Sequence, residues 1–254
     1  MDLDVPSATL AALLLATARA TGFILMAPPF NSSSIPAPAK GALALAFSLV
    51  AFPHIVGNLP EVTAGFLVVT AITEAIIGAA LGFIVQVFFT AVQLAGDIVD
   101  VTGGFSLQPA YDPLSLSTHG VIGRLHYLLA ITLMFTSGAH LLLVRGFVTS
   151  YEGLPIGGSL PTDQLGPTLL TAFSMMFLAA LQIAGPLVAV LLLADVALAL
   201  LSKAAPALNI FALGFPVKIM ITLTLLGLTF PLLPPALDGL MDTALRAITS
   251  LRSG

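Results

Sequence analysis

Cysteine is absent from this 254-residue chain, which excludes disulfides, thiol catalysis and cysteine-ligated metals without identifying a compartment. Charge is the next scarcity. Charged residues make up 8% of the sequence, against roughly a quarter in soluble domains, while hydrophobic residues make up 58% and mean hydropathy is +1.09. A soluble domain of this length needs a polar surface that so few charges cannot cover. The composition is that of an integral membrane protein. The 8 Lys and Arg residues stand singly, which excludes a nucleic-acid surface. Enzyme signatures are missing too: there is no HExxH, GxSxG, Walker A or dinucleotide fingerprint, and no nucleophile and base pair. His54, His119, His126 and His140 have no ligand partners at metal-binding spacing, so neither a metal nor another cofactor is expected. The N-terminal MDLDVPS has no Lys or Arg before the first apolar run, so that run is expected to be retained rather than cleaved as a signal peptide.

What is there is a series of apolar segments. A hydrocarbon core of about 30 Å needs roughly 20 residues of helix. Six segments approach that length: Ala8 to Met26, Gly41 to Val56, Ala64 to Leu94, Val121 to Val144, Leu165 to Ala194 and Phe211 to Leu237. The second is short and the third and fifth are overlong, which suggests tilted, broken or protein-packed helices. Lys40, Arg124 and Lys203 flank one side while Arg145, Arg246 and Arg252 flank the other, so charge bias assigns no orientation. No linker divides the chain, and residues 1–254 are read as one domain.

Polar residues inside the apolar runs should mark the working parts, because they are costly in hydrocarbon. Asp195, Lys203, Pro206, Asn209 and Lys218 fall in one such stretch, and Pro206 and Pro216 are expected to interrupt the helix on both sides of Asn209. Arg19 and Glu74 lie in earlier segments; Arg19 either pairs with Glu74 or Asp195 or snorkels to an interface. Asp97 and Asp100 are read as solvated or capping residues where the third apolar helix ends. At one constant offset, Pro28, Asn31, Pro38, Lys40, Phe52 and Pro53 fall on Pro206, Asn209, Pro216, Lys218, Phe230 and Pro231. This is read as an internal repeat of 27–59 and 205–237, the alternative being prolines that punctuate helix ends and lysines that anchor them.

Three further features complete the map. Ala71, Ala75 and Ala79, with Gly78 and Gly82, put small residues four apart, which favours close helix packing within the chain or between subunits. DVTGGFSLQPAYDPLSLSTHG is too rich in Gly, Pro and Ser to continue a helix, and is read as a re-entrant or pore-plugging loop. Leu240, Met241, Ala244, Leu245, Ile248 and Leu251 predict a C-terminal amphipathic helix. The fold class is thus an all-α membrane protein of about six long apolar helical segments in broken helical hairpins, with a plug-like loop and a terminal amphipathic helix. From these residues alone, one reading of function is a small-solute or ion transporter that uses the two breaks as half-sites.

The segments RATGFILMAPPFNSSSIPAPAKGALALAF, GGFSLQPAYDPLS, SGAHLLL and DVALALLSKAAPALNIFALGFPVKI resemble, in order and across most of the chain, the FliR family of type III export-gate proteins. Ala207 stands where the family often has glutamine, and Lys203 where arginine is common, which removes forked hydrogen bonding there. The resemblance implies a flagellar export-gate subunit in the bacterial inner membrane at the basal body. It implies one copy of the chain assembled with FliP-like and FliQ-like subunits beside other export-apparatus membrane proteins, passing unfolded protein substrates. It also implies a plug loop over 103–117, with Gly103, Gly104, Phe105, Ser106, Tyr111, Asp112, Pro113 and Leu114 as its candidates and Phe105 as the occluding side chain. Arg19, Pro28, Asn31, Pro38, Lys40, Glu74, Gly78, Gly82, Asp195, Lys203, Pro206, Asn209, Pro216 and Lys218 are the candidate helix-break and subunit-interface residues.

Overall fold

The computed structural model describes residues 7–55, 63–105, 120–158, 162–207, 209–236 and 239. Among them there is no strand. The helices are α1 (Ser7–Met26), α2 (Ala37–Ala51), α3 (Ala64–Gly103), α4 (Val121–Thr136), α5 (Ala139–Gly153), α6 (Thr162–Ala204) and α7 (Ile210–Leu225). Short 3₁₀ turns follow α2 at Phe52–His54 and α7 at Leu226–Leu228 and Phe230–Leu232. The expected C-terminal amphipathic helix, and Ser106 to His119 of the central loop, lie outside the described residues.

Among the described residues, four helices are long and apolar enough to cross a membrane, and α4 with α5 make a fifth if that broken pair counts as one span. α2, with 15 residues, falls short of a span. α3 and α6, with 40 and 43 residues, run about 60 Å, twice the thickness of a hydrocarbon core. The fourth expected segment is divided instead of continuous. Gly138, at φ 79°, adopts a left-handed conformation that ends α4 and begins α5. At the other long helix, Gly103 is the last residue of α3, and Gly104 at φ 87° turns the chain out of it.

The chain resolves into two compact units whose boundaries fall inside α3, α4 and α6 rather than at a linker. The first contains the described residues of 1–88 and 134–173, and the second those of 89–133 and 174–239. In the first unit α1 packs along α2 and across α3. Gly22 meets the backbone of Ala75 and Ala79, Gly78 meets that of Arg19, and Gly82 meets that of Phe23. The small-residue stripe of α3 therefore seats α1 at backbone distance. Phe23, Phe47 and Phe147 then join α1, α2 and α5, with ring centroids 5.2 to 6.0 Å apart. In the second unit Gly96 of α3 lies against Gly123 of α4, and Gly103 lies under the Thr222 side chain of α7.

The long apolar windows differ in cover. That of α3 is 61% buried, whereas those of α6 and of 212–236 are each 22% buried. Leu178, Leu181, Leu192, Leu193, Leu200 and Met220 are accordingly exposed on the last two helices. These are faces for lipid or for another protein, not for water.

Candidate functional site

The two ionisable residues within α1 and the first half of α3 form a closed polar knot. Arg19 is wholly buried and Glu74 is 1% exposed. Arg19 Nε donates to Glu74 Oε2 at 2.5 Å, Nη1 donates to Ser150 Oγ at 3.2 Å, and Nη2 donates to the Leu154 carbonyl at 2.8 Å. The guanidinium carbon sits 4.0 Å from the centre of the Tyr151 ring, whose hydroxyl donates to the Ala16 carbonyl. One charge thus binds α1 to α3 and α5 by an ion pair, two hydrogen bonds and a cation–π contact. Of the open readings, pairing with Glu74 is the one realised. Asp195 is not its partner, and Arg19 does not snorkel. Ser150, Tyr151 and the Leu154 carbonyl were not legible as partners, although a buried arginine with five donors demands more than one acceptor.

The second ion pair differs in cover. Lys218 Nζ of α7 lies 2.5 Å from Asp195 Oδ1 of α6, with the side chains 18% and 47% exposed. Together with Leu198, Ala199, Ser202, Gly214 and Phe215 they line a cleft of about 310 Å³ between those two helices. Lys203 is exposed in the last turn of α6, where a cation complements the helix dipole. Pro206 lies in the break. Asn209 caps α7, its side-chain oxygen accepting from Ala212 N at 3.2 Å. The expectation for Pro216 is corrected: it lies inside α7, and removes only the helical donor for the Ala212 carbonyl without ending the helix.

The earlier break is longer. Asn31 donates its side-chain amide to the Met26 carbonyl at the end of α1, and Lys40 Nζ donates to the Asn31 carbonyl at 3.0 Å. Pro28 is buried, while Pro38 is exposed in the first turn of α2, where its missing N–H costs nothing. The echo between the breaks is partial. Helix ends Met26 and Ala204 correspond at the constant offset, and so do the 3₁₀ turns Phe52–His54 and Phe230–Leu232. The second helix starts earlier in the later copy, which is why Pro216 is interior where Pro38 is terminal.

Around the central loop, Gly103, Gly104 and Phe105 are described, whereas Ser106, Tyr111, Asp112, Pro113 and Leu114 lie outside the described residues. Gly104 packs beside the Phe215 ring, and Phe105 is half-buried. Of the solvated and capping readings of Asp97 and Asp100, capping is the one realised. α3 runs past both, and Asp100 is 1% exposed. Asp100 accepts from Ile122 N at 3.1 Å and Gly123 N at 2.9 Å, and Asp97 accepts from Gly120 N at 3.3 Å. They cap α4 from another helix, because Gly120 has no side chain to do so. The spacing of three in Asp97 and Asp100 matches the spacing of three in Gly120 and Gly123, where any Cβ would strike a carboxylate. That pairing was the available signal.

Comparison with known proteins places this architecture. Residues 10–244 match the model of the family described as bacterial export proteins, family 1. The chain is 32% identical over 235 residues to the flagellar biosynthetic protein FliR of Escherichia coli K12, covering 92% of this chain and 90% of that one. It is 30% identical to FliR of Bacillus subtilis 168, over 85% and 84% of the two chains. It is also 32% identical to the Yop proteins translocation protein T of Yersinia pestis, over 74% and 73%. A match that runs through the Arg19 knot, the Asp97 and Asp100 caps and the Asp195 and Lys218 pair covers nearly the whole architecture, and the chain belongs to the bacterial export proteins, family 1.

Proposed function

We propose that this chain is a structural and gating subunit of a flagellar type III protein export gate, serving flagellum assembly. The single observation that carries the reading is near end-to-end similarity to FliR proteins, 92% of this chain against 90% of the E. coli relative. The described residues support a non-enzymatic part. Arg19 and Glu74 neutralise each other inside the fold, and the asparagines of both helix breaks bind neighbouring backbone instead of facing an open solute site.

In this reading the gate sits in the bacterial inner membrane at the flagellar basal body. One copy of the chain joins FliP-like and FliQ-like subunits, beside other export-apparatus membrane proteins, and unfolded protein substrates pass through the assembly. The exposed apolar faces of α6 and α7 suit burial against such neighbours. Gly103, Gly104 and Phe105 lead into the sealing loop; Asp195, Lys203, Pro206, Asn209, Pro216 and Lys218 shape the later hairpin, and Pro28, Asn31, Pro38 and Lys40 the earlier one. Residues 1–254 act as one functional domain, with 27–59 and 205–237 as its repeated break. Removing the chain from its bacterium should abolish secretion of filament subunits, and re-expression should restore it. Undiminished secretion without the chain rejects the reading.

A further inference from the structure

Where the central loop leaves α3, its backbone is packed directly on side chains of α7. α3 ends at Gly103, and Gly104 turns the chain out at φ 87°. Neither residue has room for a side chain. A Cβ on Gly103 would stand 2.6 Å from Thr222 Oγ1, and one on Gly104 would stand 3.0 Å from Phe215 Cδ1. Elsewhere on α3 the close approaches are of another kind, for Gly78 and Gly82 meet the backbone of α1. Here glycine meets a ring and a hydroxyl.

The two contacts together fix a position. Phe215 and Thr222 are two turns apart, about 10 Å along the helix axis, yet they touch successive residues of the root. The root therefore lies across that stretch of α7, and it cannot slide along the stretch without striking one side chain and leaving the other. The stretch is itself held. Thr222 is 0% exposed, and its hydroxyl donates to the Lys218 carbonyl at 2.8 Å, which sets the rotamer facing Gly103. Lys218, between the two contact residues in sequence, is paired with Asp195 of α6. Phe215 also lines the cleft around that pair, so one side chain is shared by the cleft and the turn at Gly104.

We propose that Phe215 and Thr222 are positioning residues for the seal: they fix where the central loop leaves α3, while the Asp195 and Lys218 pair braces that stretch of α7 from α6. The contacts stand on the geometry alone, and only their consequence for sealing rests on the proposed function.

The test uses the full chain with its copurifying subunits, in lipid nanodiscs for amide exchange by mass spectrometry and in vesicles for ion leak. Phe215→Ala removes the ring, and Thr222→Leu enlarges a side chain that already touches Gly103. In both, a peptide covering 100–105 should exchange at least roughly tenfold faster, and ion leak should rise with it, at undiminished recovery of the complex. Phe215→Tyr keeps the ring, and a cleft lined by Asp195, Ser202 and Lys218 accepts its hydroxyl, so both readouts should stay at wild-type values. Thr224→Leu is the matched control, since Thr224 also donates to the carbonyl four residues back, at 2.7 Å, but is exposed. It should change neither readout. Unchanged exchange at 100–105 in Phe215→Ala and Thr222→Leu overturns the contacts. Faster exchange with an unchanged leak overturns the positioning role, as does a leak in Phe215→Tyr or Thr224→Leu equal to that of Phe215→Ala. If Phe215→Ala does not assemble, Phe215→Leu, which keeps apolar bulk without the ring, decides in its place. Failure of the gate reading itself shows separately, as a chain that purifies without unlike subunits, and the exchange measurement on that chain still decides the contacts.

Discussion

Arg19 had to find a partner, since its charge lies in an apolar segment; which partner, and how many, depended on where α5 folds back. The answer carries a stability consequence. Removing one member of a buried pair leaves the other charge without compensation, at about 3 to 5 kcal/mol. Glu74→Ala should therefore lower the melting temperature of the purified chain sharply, and Arg19→Met with Glu74→Leu should recover much of that loss. If Glu74→Ala melts with the wild type, the knot contributes no stability. Asp195 and Lys218 invite the opposite expectation. Their partial exposure lets solvent or detergent screen the pair, so Lys218→Met should leave melting of the isolated chain nearly unchanged. It should reduce recovery of the assembled complex, where the cleft would be covered. A full yield of complex would make the pair peripheral. The sequence marked all four residues by their cost in hydrocarbon, but it did not assign them to two pairs, because a pairing across 55 positions is a property of the packing.

Apolar length and the breaks at Pro28 and Pro206 were legible element by element, and α1 and the end of α6 fall where those signals put them. Other boundaries were not. Asp97 and Asp100 read as solvated or capping residues ahead of Gly103, where α3 does end, but the helix they cap is α4, whose unpaired amides come alongside. Pro216 read as a break, yet in α7 it removes one hydrogen bond that the rest of the helix tolerates. The stop at Gly138 went unread inside a run of apolar residues, since only its positive φ reveals it. Glycine is thus informative by its surroundings, and a paired substitution measures this. Gly41 of α2 has open space where a Cβ would stand, whereas at Gly78 a Cβ would collide with the Arg19 backbone. Gly41→Ala should stabilise the isolated chain by about 0.5 to 1 kcal/mol through helix propensity. Gly78→Ala should destabilise it by separating α1 from α3. Equal melting shifts of one sign in the two variants would show that the α1 and α3 contact is looser than the structure has it.

At the scale of the molecule, the closed ion pair and the least covered apolar windows lie on different elements, and that asymmetry argues for an assembly. α1 and α3 enclose their charge with the chain's own partners, while α6 and 212–236 leave most of their apolar windows uncovered around a half-exposed ion pair. Lipid would satisfy the leucines but is a poor medium for a part-exposed ion pair; a neighbouring protein helix would suit both. Copy number and company can be read directly from native mass spectrometry of the tagged chain, extracted from its own membrane in mild detergent. One copy with several FliP-like and FliQ-like chains is the expected species. Exchange protection should then rise along α6 and α7 in the complex relative to the chain alone, and remain unchanged along the stretch of α1 already buried against α3. A stable species containing only this chain, with α6 and α7 equally exposed in every preparation, would mean that lipid is their natural cover and that the gate assignment is wrong.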